Sequence, residues 1–185
     1  MMQEITATDS FDYAFLEMPG KDVEALIGTI PTRWGRMSPL SRAVVVEAGR
    51  ILTENEWLAR GSRFSEIGKT VGLIGATRTG SLSTDIDFAG TLSDGFLLAS
   101  PALFGYTLPN IPLAEAANHY GLTGPVYAVF NDQDPLVAAI EEAKRWLDAR
   151  EDLFSMMACT FDSFGGQQSG ADFIVSFHMV SRKNG

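Results

Sequence analysis

The sequence predicts an α/β domain with a mostly parallel, mixed sheet that ends in an antiparallel hairpin. Three observations predict it. Short apolar runs at 70–76 (TVGLIGA), 126–130 (VYAVF) and 153–161 (LFSMMACTF) read as buried strands. The segments between them carry apolar residues at helical spacing and are long enough for crossovers. A last run at 171–180 (ADFIVSFHMV) follows too closely for a crossover, so it pairs antiparallel with its predecessor. The 185 residues read as one domain, 1–185.

Residues 1–37 read as an irregular region punctuated by Pro19-Gly20 and Pro31. Ser38-Pro39 reads as an N-cap followed by proline at the first helical position. Leu40, Val44, Ala48 and Ile51 then recur at helical spacing. Val44, Val45 and Val46 lean towards strand, but the caps and the length favour helix. After the first strand comes the Gly- and Ser-rich run RTGSLSTD, where Ser83 or Thr84 caps a short helix through Leu92.

A loop with Pro101, Pro109 and Pro112 follows. Asn110 is expected to cap the next helix, with Leu113, Ala116, Ala117 and Tyr120 as its apolar stripe and Gly121 as its end. Asp134-Pro135 repeats the cap-then-proline signal, and Leu136, Ile140, Ala143 and Leu147 line one face of the helix it opens. The same helix carries Glu141, Glu142, Lys144, Arg145 and Asp148, with Glu141 and Arg145 at a supportive i,i+4 spacing. Residues 162–170 read as a Gly-rich turn. Phe173, Phe177 and Met179 alternate along the last strand, and Met156, Met157 and Phe161 lie in its neighbour; all six read as core.

Composition narrows the function. The formal net charge is −9, from 14 basic and 23 acidic residues. No broad basic field exists to release counterions from a phosphate backbone or to hold an anionic membrane, so neither is an expected partner. The N-terminus has no basic, apolar leader, and no apolar run reaches the roughly 20 residues that span a bilayer, so the expectation is a cytoplasmic protein. The single Cys159 excludes an internal disulfide framework. Two histidines, His119 and His178, stand far apart, and no metal-ligand spacing occurs. GxGxxG, GxxxxGKS/T and GxSxG are absent, so no cofactor is implied.

Several segments resemble the β-ketoacyl synthases of the thiolase-like superfamily. LPNIPLAEAANHYGLTGP at 108–125 is similar to their Pro-Asn loop, next helix and Gly-Leu-x-Gly-Pro turn. TVGLIGATRTGSL at 70–82 is similar to their strand and Gly-rich turn, and MSPLSRAVVVEAGRIL at 37–52 to their early helix. Order and intervals agree over roughly residues 37–161. The resemblance implies a thiolase-like half-fold, since a complete synthase packs two similar halves around buried central helices. By this resemblance residues 37–161 correspond to the first half, and a half-size relative is expected.

The resemblance also implies where chemistry would sit. The family's catalytic cysteine lies just after the Gly-Pro turn, on a bend from strand into helix. A helix N-terminus there lowers a thiol's pKa and offers N–H groups to an oxyanion. Here the bend reads Asn131-Asp132-Gln133-Asp134-Pro135. Counting from Gly124-Pro125 puts Gln133 at the nucleophile position; aligning on Leu136-Val137 puts Asp132 there. Neither is such a nucleophile, and two carboxylates at the bend would repel a thiolate. The family's other two catalytic positions belong to the second half of its fold. Ala158-Cys159-Thr160 superficially resembles the cysteine signature, but its place in a strand makes Cys159 a small core residue.

The expected role is therefore a catalytically inactive partner, assembly or chain-length-type subunit in fatty-acid or polyketide-like biosynthesis. By resemblance it forms a homodimer or a heterodimer with a full-length ketosynthase, with acyl carrier protein as a further partner. The family's dimer strand corresponds to 126–130, with Tyr127 and Phe130 as candidates to pack across the axis. Two other readings stay open. One is an acyl-thioester-binding enzyme, such as a decarboxylase, with Asn131 and Gln133 as amide donors. The other is an unrelated small-molecule-binding module.

Overall fold

The computed structural model describes residues 20–95, 97, 99–164 and 172–182. Among these, six α-helices and four strands follow in chain order: α1 (Gly20–Ile27), α2 (Pro39–Glu54), β1 (Val71–Thr77), α3 (Leu82–Thr91), α4 (Pro101–Tyr106), α5 (Asn110–Tyr120), β2 (Val126–Phe130), α6 (Pro135–Ala149), β3 (Ser155–Phe164) and β4 (Asp172–Ser181). The sheet order is β2-β1-β3-β4. β1 runs parallel to both neighbours, and β3 and β4 pair antiparallel. The predicted fold class is the observed one.

Strand β1 explains the layering. All seven of its residues are buried, as a parallel strand covered on both faces requires. Val71 and Leu73 join the core under α2 and α5, together with Met157, Cys159, Phe161, Phe177 and Met179. Ile74 and Ala76 face the other way, against Ala139, Ala143 and Leu147 of α6. The six aromatic and methionine positions read as core are all buried. Gly75 sets the approach of α5: a Cβ there would lie 2.5 Å from Phe161 Cε1 and 2.8 Å from the Leu113 methyls.

The cap-then-proline signals work as expected at two helices. Ser38 Oγ accepts from Ser41 N at 3.2 Å, and Asp134 Oδ1 accepts from Val137 N at 3.3 Å. The same signal at Ser100-Pro101 opens α4 where a loop was expected; Ser100 Oγ accepts from Leu103 N at 3.3 Å. Gly121 ends α5 in the left-handed region at φ 65°, a conformation glycine adopts without a Cβ penalty.

Other details differ from the sequence reading. α3 begins at Leu82, so Ser81 takes the cap position instead of Ser83 or Thr84, and its side chain makes no cap bond. Pro109 precedes α5, and Asn110 is its first residue, not its cap. The buried line of α6 is Pro135, Ala139, Ala143 and Leu147; Leu136 and Ile140 flank it half-buried, because two alanines let the helix lie close on the sheet. Its ion pair joins Glu142, not Glu141, to Arg145 at 2.8 Å. Strand β2 is an edge strand with partly exposed residues, not a buried one: among the described residues β1 is its single strand neighbour. Strand β3 runs on through Asp162 and Ser163 to Phe164, and the rest of the expected turn, 165–170, lies outside the described residues. In the expected irregular N-terminal region, 1–19 lies outside them too, while 20–27 is α1 and Trp34–Arg36 a single 3-10 turn.

Candidate functional site

The bend from β2 into α6 stands at the C-terminal ends of the parallel strands β1 and β2, where open α/β sheets bind ligands. Asn131 makes the bend. Its N–H donates to Thr77 O at 3.1 Å, which continues the β1–β2 ladder by one residue. Its Oδ1 accepts from the N–H of Gln133 at 3.0 Å and of Asp134 at 2.8 Å. One short amide side chain thus satisfies two donors that open toward the helix start. The Asp134 carboxylate takes a third, from Val137. The side chains of Asp132, Gln133 and Asp134 are exposed.

A second turn braces the first. Arg78 follows β1, and its guanidinium donates to Asp132 O at 3.1 Å and to Gln133 O at 2.7 Å. The turn 77–80 is itself wrapped round a carboxylate. Asp162 Oδ1 accepts from the Thr77 and Thr79 hydroxyls and from the N–H groups of Arg78, Thr79 and Gly80, at 2.5–3.2 Å. Asp162 is buried on β3. Successive N–H groups converging on one oxygen make an anion nest, here filled by the protein's own side chain.

A cavity of about 380 Å³ opens beside this turn. Arg78, Thr79, Ser81, Asp85, Pro109 and Phe130 are among its lining residues, and none of 131–134 is among the described ones that line it. Among the described residues Ser81 Oγ is buried without a hydrogen-bond partner. Burial pushes the Asp85 carboxyl up. The sequence reading did not bring this wall together: Ser81 and Pro109 lie in two separate motifs, Asp85 in none, and the three meet only through the fold.

The two residues expected at a dimer strand part company. Phe130 is 74% exposed at the end of β2. Tyr127 instead turns onto α6: its hydroxyl donates to Glu142 Oε1 at 2.5 Å and accepts from Trp146 Nε1 at 2.7 Å. Burial, then the bond to Glu142, pushes the phenol up, and the same bond holds the Glu142 carboxyl down.

Cys159 is fully buried under α2 and α5, and burial pushes its thiol up, so it is an inert core residue. His178 is buried on β4 opposite Ala158. His119 lines a separate cavity of about 280 Å³ with Glu115 and Arg63. Burial, then Arg63, pushes its imidazole down to about 4. Glu115 is buried, paired with Arg33 at 3.1 Å and bonded by the Tyr106 hydroxyl at 3.1 Å. Among the described residues no group of three or more His, Cys, Asp or Glu side chains is placed to hold a metal ion. No helix among them is long and apolar enough to cross a membrane.

No family model matches the sequence, and no curated protein does. Solved structures match at low identity. The ishigamide ketosynthase/chain length factor is 16% identical with a TM-score of 0.66, covering 90% of this chain and 49% of that one. A ketosynthase from module 6 of the bacillaene synthase of Bacillus subtilis is 10% identical with a TM-score of 0.55, covering 86% and 27%. The ketosynthase ApeO in complex with its chain length factor ApeC, from Xenorhabdus doucetiae, gives 13% identity and a TM-score of 0.56, covering 95% and 68%. The likeness is one of fold. The chain has the thiolase-like fold of ketosynthases and spans about half the length of the first chain it matches.

Proposed function

We propose that this chain is a catalytically silent ketosynthase-like subunit that pairs with a full-length ketosynthase in fatty-acid or polyketide-like biosynthesis. The observation that carries this reading is the state of the bend. The position that the resemblance assigns to the nucleophile holds Gln133, whose side chain is exposed and whose N–H is donated to Asn131 Oδ1. The alternative position, Asp132, is an exposed carboxylate whose carbonyl is held by Arg78. Covalent acyl transfer needs a nucleophile and a free donor aimed at the developing oxyanion, and neither candidate position supplies both.

The partner reading draws support from the solved neighbours, two of which are described as ketosynthase and chain length factor pairs. The open edge of β2 and its exposed Phe130 are where a partner strand would dock. A net charge of −9 disfavours pairing with a second copy and favours a less acidic partner.

Light scattering on the chain, alone and with a purified full-length ketosynthase from the same organism, tests the partner role. A stable one-to-one complex is the expected result, and a monomer that ignores the synthase would sink it. Mass spectrometry after incubation with malonyl- and acyl-carrier protein tests the silence: no acyl-enzyme and no decarboxylation are expected. The cavity beside the 77–80 turn favours a second reading, an acyl-thioester-binding enzyme; decarboxylation that survives purification and fails in Ser81→Ala, a lining residue, would select it.

A further inference from the structure

The cavity of about 280 Å³ lies against the C-terminal half of α5. Among the described residues it shares no lining residue with the cavity beside the 77–80 turn. Its walls differ in kind. Every apolar side chain that lines it comes from the segment 29–37, namely Ile30, Pro31 and Met37. The half of α5 that faces it and the segment 61–66 contribute polar side chains alone.

The charges of that polar wall are matched within the chain. Glu115 is buried, pairs with Arg33 at 3.1 Å and accepts from the Tyr106 hydroxyl at 3.1 Å. Arg63 Nε stands 3.9 Å from Glu66 Oε1. Burial, then Arg63, keeps the His119 imidazole neutral above about pH 4. An ion that entered would shed water and meet no unmatched charge in return.

What the cavity offers instead is a set of neutral groups that both give and take hydrogen bonds. A neutral imidazole has one donor and one acceptor, an asparagine amide has both, and so has each threonine hydroxyl. His119, Asn118, Thr29 and Thr32 supply them. His119 Nε2 and Thr29 Oγ1 are 3.4 Å apart, longer than an ordinary hydrogen bond, so neither is firmly committed to the other. A ring with a C–H face and a rim of hydroxyls has the matching make-up, since each hydroxyl is also donor and acceptor.

We propose that this cavity binds a neutral cyclic polyol, a single sugar or inositol ring, with its C–H face on Ile30, Pro31 and Met37 and its hydroxyls on Asn118, His119 and the two threonines. The volume sets the size. Ligand pockets begin near about 300 Å³, so a cavity of about 280 Å³ takes one ring and not a chain. The site stands apart from the bend, and neither needs the other.

Nitrogen–proton correlation spectra of the whole chain, titrated with glucose, galactose and myo-inositol, test the site. At least one probe should shift the amides of Thr29, Thr32, Arg63 and His119 saturably, with a Kd in roughly the millimolar range that about a dozen non-hydrogen atoms support. Glucosamine, a cation, and glucuronate, an anion, should bind several-fold more weakly at neutral pH. Asn118 is exposed, so Asn118→Ala keeps the fold and should weaken binding about fivefold. Absence of a saturable shift up to about 100 mM of every neutral probe, or shifts centred on other residues, overturns the site. Binding of glucosamine or glucuronate as tight as that of the neutral probes overturns the neutral class. Unchanged affinity in Asn118→Ala overturns the polar rim.

Discussion

The Thr77 hydroxyl, at the end of β1, donates to the Asp162 carboxylate of β3 at 2.5 Å. The same oxygen gathers three successive N–H groups of the turn that follows β1. The turn in turn carries Arg78, which holds the carbonyls of Asp132 and Gln133. One buried carboxylate therefore shapes the bend from across the sheet. Removing it leaves several buried donors unsatisfied, at roughly 1–3 kcal/mol each. Asp162→Ala should lower the unfolding free energy by about 3 kcal/mol or more, and Asp162→Asn by about half as much, read by urea denaturation. A loss below about 1 kcal/mol in the alanine variant would mean that the turn holds its own shape.

Arg78 acts further out, in solvent. Its guanidinium spans two carbonyls that a lysine ammonium would not bridge in the same way. Arg78→Lys should raise amide exchange at Gln133 and Asp134 several-fold while changing global stability by no more than about 1 kcal/mol. Equal exchange in both proteins would assign the shape of the bend to Asn131 alone.

Gly75 tests the packing beneath the site. A methyl group there meets Phe161 and Leu113 at distances real contacts do not show. Gly75→Ala should cost about 1–3 kcal/mol by overpacking, measured as a lower urea midpoint with an unchanged m-value. A neutral outcome would require α5 to shift, visible as faster exchange along that helix.

His119 gives the fold a pH dependence of known sign. Burial, then Arg63, pushes its imidazole down from the usual 6.5 to about 4 in the folded chain. Between these values the unfolded chain binds the proton and the folded chain does not, so unfolding gains as pH falls. The contribution of His119 to stability is full above about 6.5 and is lost progressively as pH drops to about 4, below which it is constant. His119→Gln should flatten that part of the stability–pH curve relative to wild type, and an unchanged slope would show that His119 is not desolvated.

The order of elements along the chain was legible because buried parallel strands are short apolar runs and helices announce their starts. Ser38-Pro39 and Asp134-Pro135 were read for what they are, and Ser100-Pro101 carries the same signal at α4. The edge position of β2 was legible from the resemblance, which makes 126–130 the dimer strand, but not from its composition. VYAVF is as apolar as TVGLIGA, and hydrophobicity records cover on the faces of a sheet, not a missing neighbour in its plane. Asp162 looked like a turn residue because a carboxylate in a strand is unusual, and its five donors come from a segment some eighty positions earlier in the chain.

What the sequence by itself determined is the kind of fold and the residues at the bend. Periodicity, caps and spacing are local, and they carry the α/β order, the likeness to ketosynthases and the absence of a cysteine between Phe130 and Pro135. What only the tertiary structure decided is how those residues are committed. Gln133 N–H is taken by Asn131, Tyr127 by Glu142 and Trp146, and Ala128 N–H by Asn110. A hydrogen bond depends on distance and direction in space, and except within the bend these partners lie at least fifteen positions apart in the chain. Which polar groups are left free, and so which surface a partner meets, is settled only when the chain is folded.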